Sequence, residues 1–296
     1  MVQAGQVEST IVDEEIKKGP RKGFNGLTPR EWTAFSRNVW SGLSPPREEY
    51  RIEHGATFPT ELAERAVRIY SAEGDLVLDP FLGVGSALVA AKRWGRRGIG
   101  IELIPKFGKV ARDLLRQETL GEAAPQKVVI DDCRNLLKHV APNSVQLVFT
   151  SPPYANFIRR SIADRQKTHK KSRIVLDNLS QVKPYSDDTR DLGNLDYDAF
   201  LIVVSDIMAK LFAVVRPGGY NIWVVKDYRD PQSGKPYIDF HSDLAQVGEE
   251  RGFKYHDLIV WDQNEDRSLV LLGYPSIFYS NQNCSFLVVL RKPNHM

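Results

Sequence analysis

The 296-residue chain predicts an α/β protein built on a doubly wound, mostly parallel sheet with helices on both faces. Three observations carry this reading. Short apolar runs alternate with helical stretches from residue 76 onward. The first three runs close on carboxylates at Asp79, Glu102 and Asp131-Asp132, and a glycine-rich turn joins the first run to the first following helix. Strand-helix alternation is the signature of crossover units, which cover a parallel sheet on both sides.

Residues 1–30 mix charges and glycines with few large apolar side chains, and read as a mobile tail; 31–296 read as one domain. The aromatic stretch 32–40 reads as a short helix or turn that lays its rings on the core. Pro59 opens a helix with Leu62, Ala66, Ile69 and Tyr70 at helical spacing. There follow strand 76–79, helix 86–94, strand 97–101, helix 105–117, strand 127–131 and strand 145–149. A long helix over 197–214 is stopped by Arg216-Pro217-Gly218-Gly219 and leads to strand 220–225. Helix 241–251, strand 256–261 and a last edge strand 286–290 complete a set of seven strands.

A hydrophobic content of 42% is ample for a buried core. No run approaches eighteen consecutive apolar residues and the N-terminus has no apolar signal core, so a soluble, cytoplasmic protein with no membrane partner is expected. Two cysteines, Cys133 and Cys284, exclude a disulfide framework, and six scattered histidines suggest no metal site. The net charge of +3 is mild, so clustering matters more than the total. Arg159, Arg160, Arg165, Lys167, Lys170, Lys171 and Arg173 lie within fifteen positions, opposed only by Asp164. Such a run is often just a solvated face; beginning five residues after Tyr154, it reads here as a track for a phosphate backbone.

Two motifs carry chemistry. Asp79-Pro80-Phe81-Leu82-Gly83-Val84-Gly85-Ser86 turns a strand tightly into a helix, as dinucleotide loops do. Leu88 stands where the third glycine of the dinucleotide fingerprint would be, so no pyrophosphate need be cradled. With strand-terminal acids at 102 and 131–132, the pattern suits an adenosine ligand without phosphates, S-adenosylmethionine better than a nicotinamide. The second motif, Ser151-Pro152-Pro153-Tyr154, leaves a buried strand as a stiff tongue with outward carbonyls. A serine oxygen, a carbonyl and an aromatic face are what an exocyclic amine on a planar base requires.

These motifs, with His54-Gly55-Ala56-Thr57-Phe58-Pro59, Ile101-Glu102, Arg190-Asp191-Leu192-Gly193-Asn194, Val215-Arg216-Pro217-Gly218-Gly219 and Gly252-Phe253 leading to Trp261, resemble the DNA amino-methyltransferases specific for cytosine N4 or adenine N6. The likeness covers roughly residues 39 to 292, with the cofactor half first. It implies the class I methyltransferase (Rossmann-like) sheet of seven strands, one of them antiparallel near its edge, and S-adenosylmethionine as cofactor. It assigns Asp79, Phe81, Gly83, Gly85 and Ser86 to the cofactor loop and its methionine contacts, Glu102 to the ribose, and Asp132 to the adenine amino group, with Asp131 competing. Thr57 and Phe58 would close over the methionine end. Ser151, Pro152, Pro153 and Tyr154 would be catalytic, gripping a base flipped out of double-stranded DNA. Trp261 would wall the other side of the base pocket, or be a buried structural tryptophan. The basic insertion 155–190 is the candidate for DNA contact and target recognition, and a restriction endonuclease partner would be natural. Serine at the head of the tongue leans toward cytosine N4. Adenine N6, an RNA base methyltransferase, a non-catalytic nucleic-acid-binding subunit and a small-molecule methyltransferase are the alternatives.

Overall fold

The computed structural model describes residues 22–43, 57–119, 124–154, 186–230, 235–266, 269 and 275–294. Residues 1–21 of the expected tail and 155–185 of the expected insertion lie outside the described residues, and so do all seven clustered basic residues from Arg159 to Arg173.

Helix α1 (Pro29–Phe35) starts where the sequence supplies a capping box: Thr28 and Glu31 satisfy each other's backbone amides, and proline occupies the first turn. It leads to a two-residue strand, β1 (Val39–Trp40). Helix α2 (Thr60–Tyr70) buries a stripe of Leu62, Ala63, Ala66, Val67 and Tyr70. Then come β2 (Leu76–Asp79), α3 (Ser86–Arg93), β3 (Arg97–Glu102), α4 (Pro105–Gln117), β4 (Gln126–Ile130), a 3-10 turn (Cys133–Lys138) and β5 (Val145–Thr150). A second 3-10 turn (Leu192–Asn194) precedes α5 (Tyr197–Val214), β6 (Val215–Val225), the hairpin β7 (Tyr228–Asp230) and β8 (Lys235–Ile238), α6 (Phe240–Glu250), β9 (Lys254–Asp262) and β10 (Cys284–Arg291).

The main sheet has eight strands in the order β1-β9-β10-β6-β5-β2-β3-β4. All neighbours are parallel except β10, which runs antiparallel to both β6 and β9. Every residue of β2 and β5 is buried, as central strands covered on both faces require. Successive side chains go to opposite layers. Leu78, Val148 and Trp223 join α5 and α6 in one core, whereas Val77, Leu147, Phe149, Ile222 and Val224 join α2 and α3 in the other.

Seven of the eight sheet strands are those expected from the sequence. Two placements differ. The strand expected last and at the edge, β10, lies between β6 and β9; its Leu287–Leu290 segment is buried on both faces, which an edge strand would not need. The edge is instead β1, which pairs in parallel with β9 through Val39–Val260 and Trp40–Trp261, in a stretch expected to be helix or turn. Two residues are too few to show a period. Among the described residues no helix is long and apolar enough to cross a membrane.

Candidate active site

From β2 the chain steps outward to β3 and β4, then returns to β5 on the other side of β2. That reversal opens a crevice beyond the carboxyl ends of β2 and β5, where ligands of open α/β sheets bind. The crevice is a cleft open to solvent on one side. Phe81 and Gly83 of the glycine loop, Glu102 at the end of β3, and Asp132 all line it. So do Ser151, Pro152 and Pro153. The two motifs, about seventy residues apart in sequence, therefore face one space.

Glu102 organises the near wall. Its carboxylate accepts from the Gly83 amide at 2.7 Å and the Ile104 amide at 2.8 Å, tying the glycine loop to the start of α4. The side chain is buried, and burial pushes its pKa up to about 7 against those two hydrogen bonds. A carboxylate has about four acceptor positions, so two remain for other donors.

The loop's glycines do different work. Gly83 (φ 53°) lies in the cleft wall. Gly85 (φ 94°) does not line the cleft but caps α3, where a Cβ would fall 2.9 Å from the Cβ of Ala111 on α4. Gly85→Ala is expected to cost about 1–3 kcal/mol in overpacking and about 1–2 kcal/mol in left-handed backbone strain. A thermal melt would register this as a fall of several degrees; an unchanged melt would show that α3 and α4 can separate freely.

Asp79 sits beneath the loop rather than in the cleft. Fully buried, it accepts from Thr150 Oγ1 at 2.6 Å and from the Phe81 amide at 3.1 Å, bracing β2 against β5. Burial raises its pKa to about 7, more than these bonds lower it. Ser86, also expected at the cofactor, is a buried first-turn residue of α3 outside the cleft lining.

Of the two neighbouring acids, Asp132 lines the cleft. It caps the 3-10 turn through the Arg134 amide at 2.9 Å and pairs with the Arg134 guanidinium. Burial opposes its ionisation, but the bonds from Arg134 outweigh that and hold its pKa below the usual carboxylate range. Asp131 is bonded instead to His139 Nε2 at 2.7 Å and Asn135 Nδ2 at 2.9 Å.

Tyr154 continues the tongue out of the cleft. Its ring meets Tyr228 and Phe240 edge-on, each with centroids 6.3 Å away, within an aromatic group that also holds Tyr197 and Phe200. Three expected residues are elsewhere. Trp261 is buried on β9, its indole donating to the Leu43 carbonyl at 3.1 Å, so it is the structural tryptophan and not a wall of the cleft. Phe58 packs edge-on against Phe149 in the core under α2, 5.1 Å between centroids, and neither it nor Thr57 lines the cleft. His54 lies outside the described residues.

Sequence reading missed several lining groups: Ile104, Phe107, Cys133, Arg190, Asp191 and Leu192. Asp191 is buried and accepts from Ser186 Oγ and the Gly193 amide, both at 2.9 Å. The run Arg190–Asn194 carries no role in the sequence reading beyond the family resemblance, and Phe107 stands on the first turn after a strand-terminal acid, a position that faces this crevice. No metal was expected. Among the described residues one trio, Asp227, Asp239 and His241, has ligand-type atoms within 4.8 Å of one another. His241 Nδ1 lies 2.9 Å from a carboxylate oxygen of each aspartate, which accounts for the grouping as a hydrogen-bonded cluster.

A sheet of this order, with a single antiparallel strand third from one edge and a ligand crevice beyond the carboxyl ends of β2 and β5, defines a class I methyltransferase fold. Residues 7–113 match the family model described as DNA methylase of the N6/N4 type. Over 83 residues, 28% of this chain and 31% of the relative, it is 41% identical to the Type II methyltransferase M2.DpnII of Streptococcus pneumoniae. Over 101 residues, 32% of this chain and 27% of the relative, it is 42% identical to the Type II methyltransferase M.MthZI of Methanothermobacter thermautotrophicus. Among solved structures, TrmN from Thermus thermophilus superposes with a TM-score of 0.46 at 15% identity, covering 82% of this chain and 52% of that one. The segment 7–113 is thus similar to DNA methylases of the N6/N4 type, the group the motifs resemble and for which that resemblance implies S-adenosylmethionine. The matches span less than a third of either curated relative's length.

The cleft fits that cofactor. The two acceptor positions of Glu102 left over by the Gly83 and Ile104 amides suit ribose hydroxyls, and Phe81, Ile104 and Phe107 are apolar side chains suited to a planar ring.

Proposed function

We propose that the protein transfers a methyl group from S-adenosylmethionine to the exocyclic amine of a base flipped out of double-stranded DNA, with cytosine N4 as the target. The observation that carries this reading is the shared cleft of Gly83, Glu102 and Ser151–Pro153. When bound, the cofactor supplies an electrophilic methyl group on a sulfonium.

The chain's own groups have the remaining work. An exocyclic amine is a poor nucleophile because its lone pair is delocalised into the ring. Ser151 Oγ and the Pro152 carbonyl accept hydrogen bonds from its two N–H groups, favour a pyramidal nitrogen and return density to the lone pair, and one of those protons passes to water once the nitrogen has taken the methyl group. The diproline holds these acceptors still, so positioning supplies most of the rate. No cysteine is needed: Cys133 lines the cleft, but burial first, with the Asp132 charge adding, pushes its thiol pKa up and away from a reactive thiolate. Tyr154 offers the stacking face that helps meet the cost of flipping, ~2–4 kcal/mol.

Serine at position 151 supports cytosine over adenine, since an acid is the more frequent residue there in adenine enzymes. The basic residues 159–173 supply the phosphate contacts in this reading, a restriction endonuclease is the natural partner, and a DNA substrate agrees with a cytoplasmic location. The test is to treat plasmid DNA with the purified protein and S-adenosylmethionine, digest it to nucleosides and weigh them. N4-methylcytosine is expected. N6-methyladenine would correct the base, methylation of RNA alone would correct the substrate, and no heat of cofactor binding in calorimetry would identify a non-catalytic subunit.

A further inference from the structure

We propose that Phe278, with Ile277 beside it, is the apolar wedge that enters the DNA duplex where the target base has left; this rests on the reading of the chain as an enzyme acting on a flipped base. Just past β6, Tyr228 is buried with its ring against Tyr154. The next residue, Arg229, reaches the segment 275–283. Its guanidinium lies 4.9 Å from the Tyr279 ring centroid and 5.8 Å from that of Tyr237, and it donates to the Ser280 carbonyl at 3.0 Å. Lys226 donates to the Gln282 carbonyl. The segment is thereby fastened to the hairpin beside the tongue, through contacts that leave its tip uncovered: Phe278 is 91% exposed and Ile277 56%.

A phenylalanine left almost wholly in water on a fastened segment is the informative kind of exposure. Little freedom remains to be lost when it is buried, so its burial is available to binding. The occupant that chemistry and place select is duplex DNA. Extruding a base opens a gap in the stack, and apolar side chains that slip between base steps fill such gaps. Tyr228 and Arg229 link the segment that carries this tip in two contacts to Tyr154, where the extruded base would arrive.

The test uses the full chain and duplexes carrying the sequence that the wild type methylates, mapped first on plasmid DNA. Methyl incorporation is measured on matched duplexes and on duplexes mismatched at the target base, with a fluorescent base analogue at that position as a readout independent of transfer. A wedge acts by lowering the cost of extrusion, which a mismatch also lowers. Phe278→Ala should lose roughly tenfold or more on matched DNA and lose the fluorescence rise, recover to within about threefold of wild type on mismatched DNA, and Phe278→Leu should stay near wild type. Equal loss on both duplexes, or none on either, overturns the wedge, as does a change of oligomeric state in Phe278→Ala with an unaltered matched-to-mismatched ratio. A wild type that methylates no DNA removes the underlying reading, and the wedge with it.

Discussion

Glu102→Ala is expected to weaken S-adenosylmethionine binding by about a hundredfold or more. Two ribose hydroxyls bonded to a carboxylate contribute about 1.5–3 kcal/mol each, which is two to four orders of magnitude in affinity. The change also frees the Gly83 and Ile104 amides that Glu102 now holds, so the glycine loop loses its tie to α4. Titration calorimetry reads the result directly; an affinity within a few-fold of wild type would place the ribose elsewhere. The pH dependence follows from the same group. With the carboxyl raised to about 7, cofactor affinity should fall as pH drops below about 7 and an acceptor is lost to a proton. Glu102→Gln should flatten that dependence. Folding responds in the opposite sense. Glu102 and Asp79 both have folded pKa values of about 7, above their ordinary values of 4.5 and 3.8. The stability they contribute is therefore fully present below about pH 4 and lost as pH rises through 7, at up to about 1.4 kcal/mol per pH unit for each group. Between pH 8 and 5 the cofactor-free protein should gain this contribution while cofactor affinity declines.

Tyr154→Ala should lower methyl transfer about a hundredfold while leaving the cofactor dissociation constant nearly unchanged. The ring lies outside the cleft lining and rests on Tyr228 and Phe240, so its removal takes away a stacking face worth roughly 1–3 kcal/mol per base and loosens the aromatic group that seats the tongue. Ser151→Ala removes one of two acceptors for the amine and should cost a similar factor in turnover. Equal loss of cofactor binding and transfer in Tyr154→Ala would put that ring against the cofactor instead.

Much of this architecture was legible in the residues themselves. The strand at 76–79 and the one at 145–149 are uninterrupted apolar runs, and such runs have one reading when a helix-period stretch follows or precedes them. The helices expected over 197–214 and 105–117 begin at those residues in the structure, behind the Asp196 cap and at Pro105. What the sequence did not disclose was lateral order. Nothing local to Cys284–Arg291 says that it threads between β6 and β9, because neighbour choice in a sheet is decided by packing across the whole layer. In the cleft, strand-terminal acids and the diproline were readable since each has a chemical signature at short range. Trp261 stays open between two readings in the sequence because an aromatic residue at a strand end looks the same whether it walls a pocket or fills a core; its bond to the Leu43 carbonyl decides the matter, across more than two hundred residues. Asp191 and Phe107 reach the cleft from segments far apart in sequence, and only the folded sheet brings them together.

The central claim is that the glycine loop and the diproline tongue serve one bound cofactor. A crystal structure with S-adenosylhomocysteine tests it most directly. The ribose hydroxyls should rest on Glu102 and the sulfur should point at Ser151 and Pro152, leaving room for a reacting nitrogen at about 3–3.5 Å from the transferred carbon. A ligand whose sulfur turns away from the tongue, or one bound outside this cleft, would contradict the account.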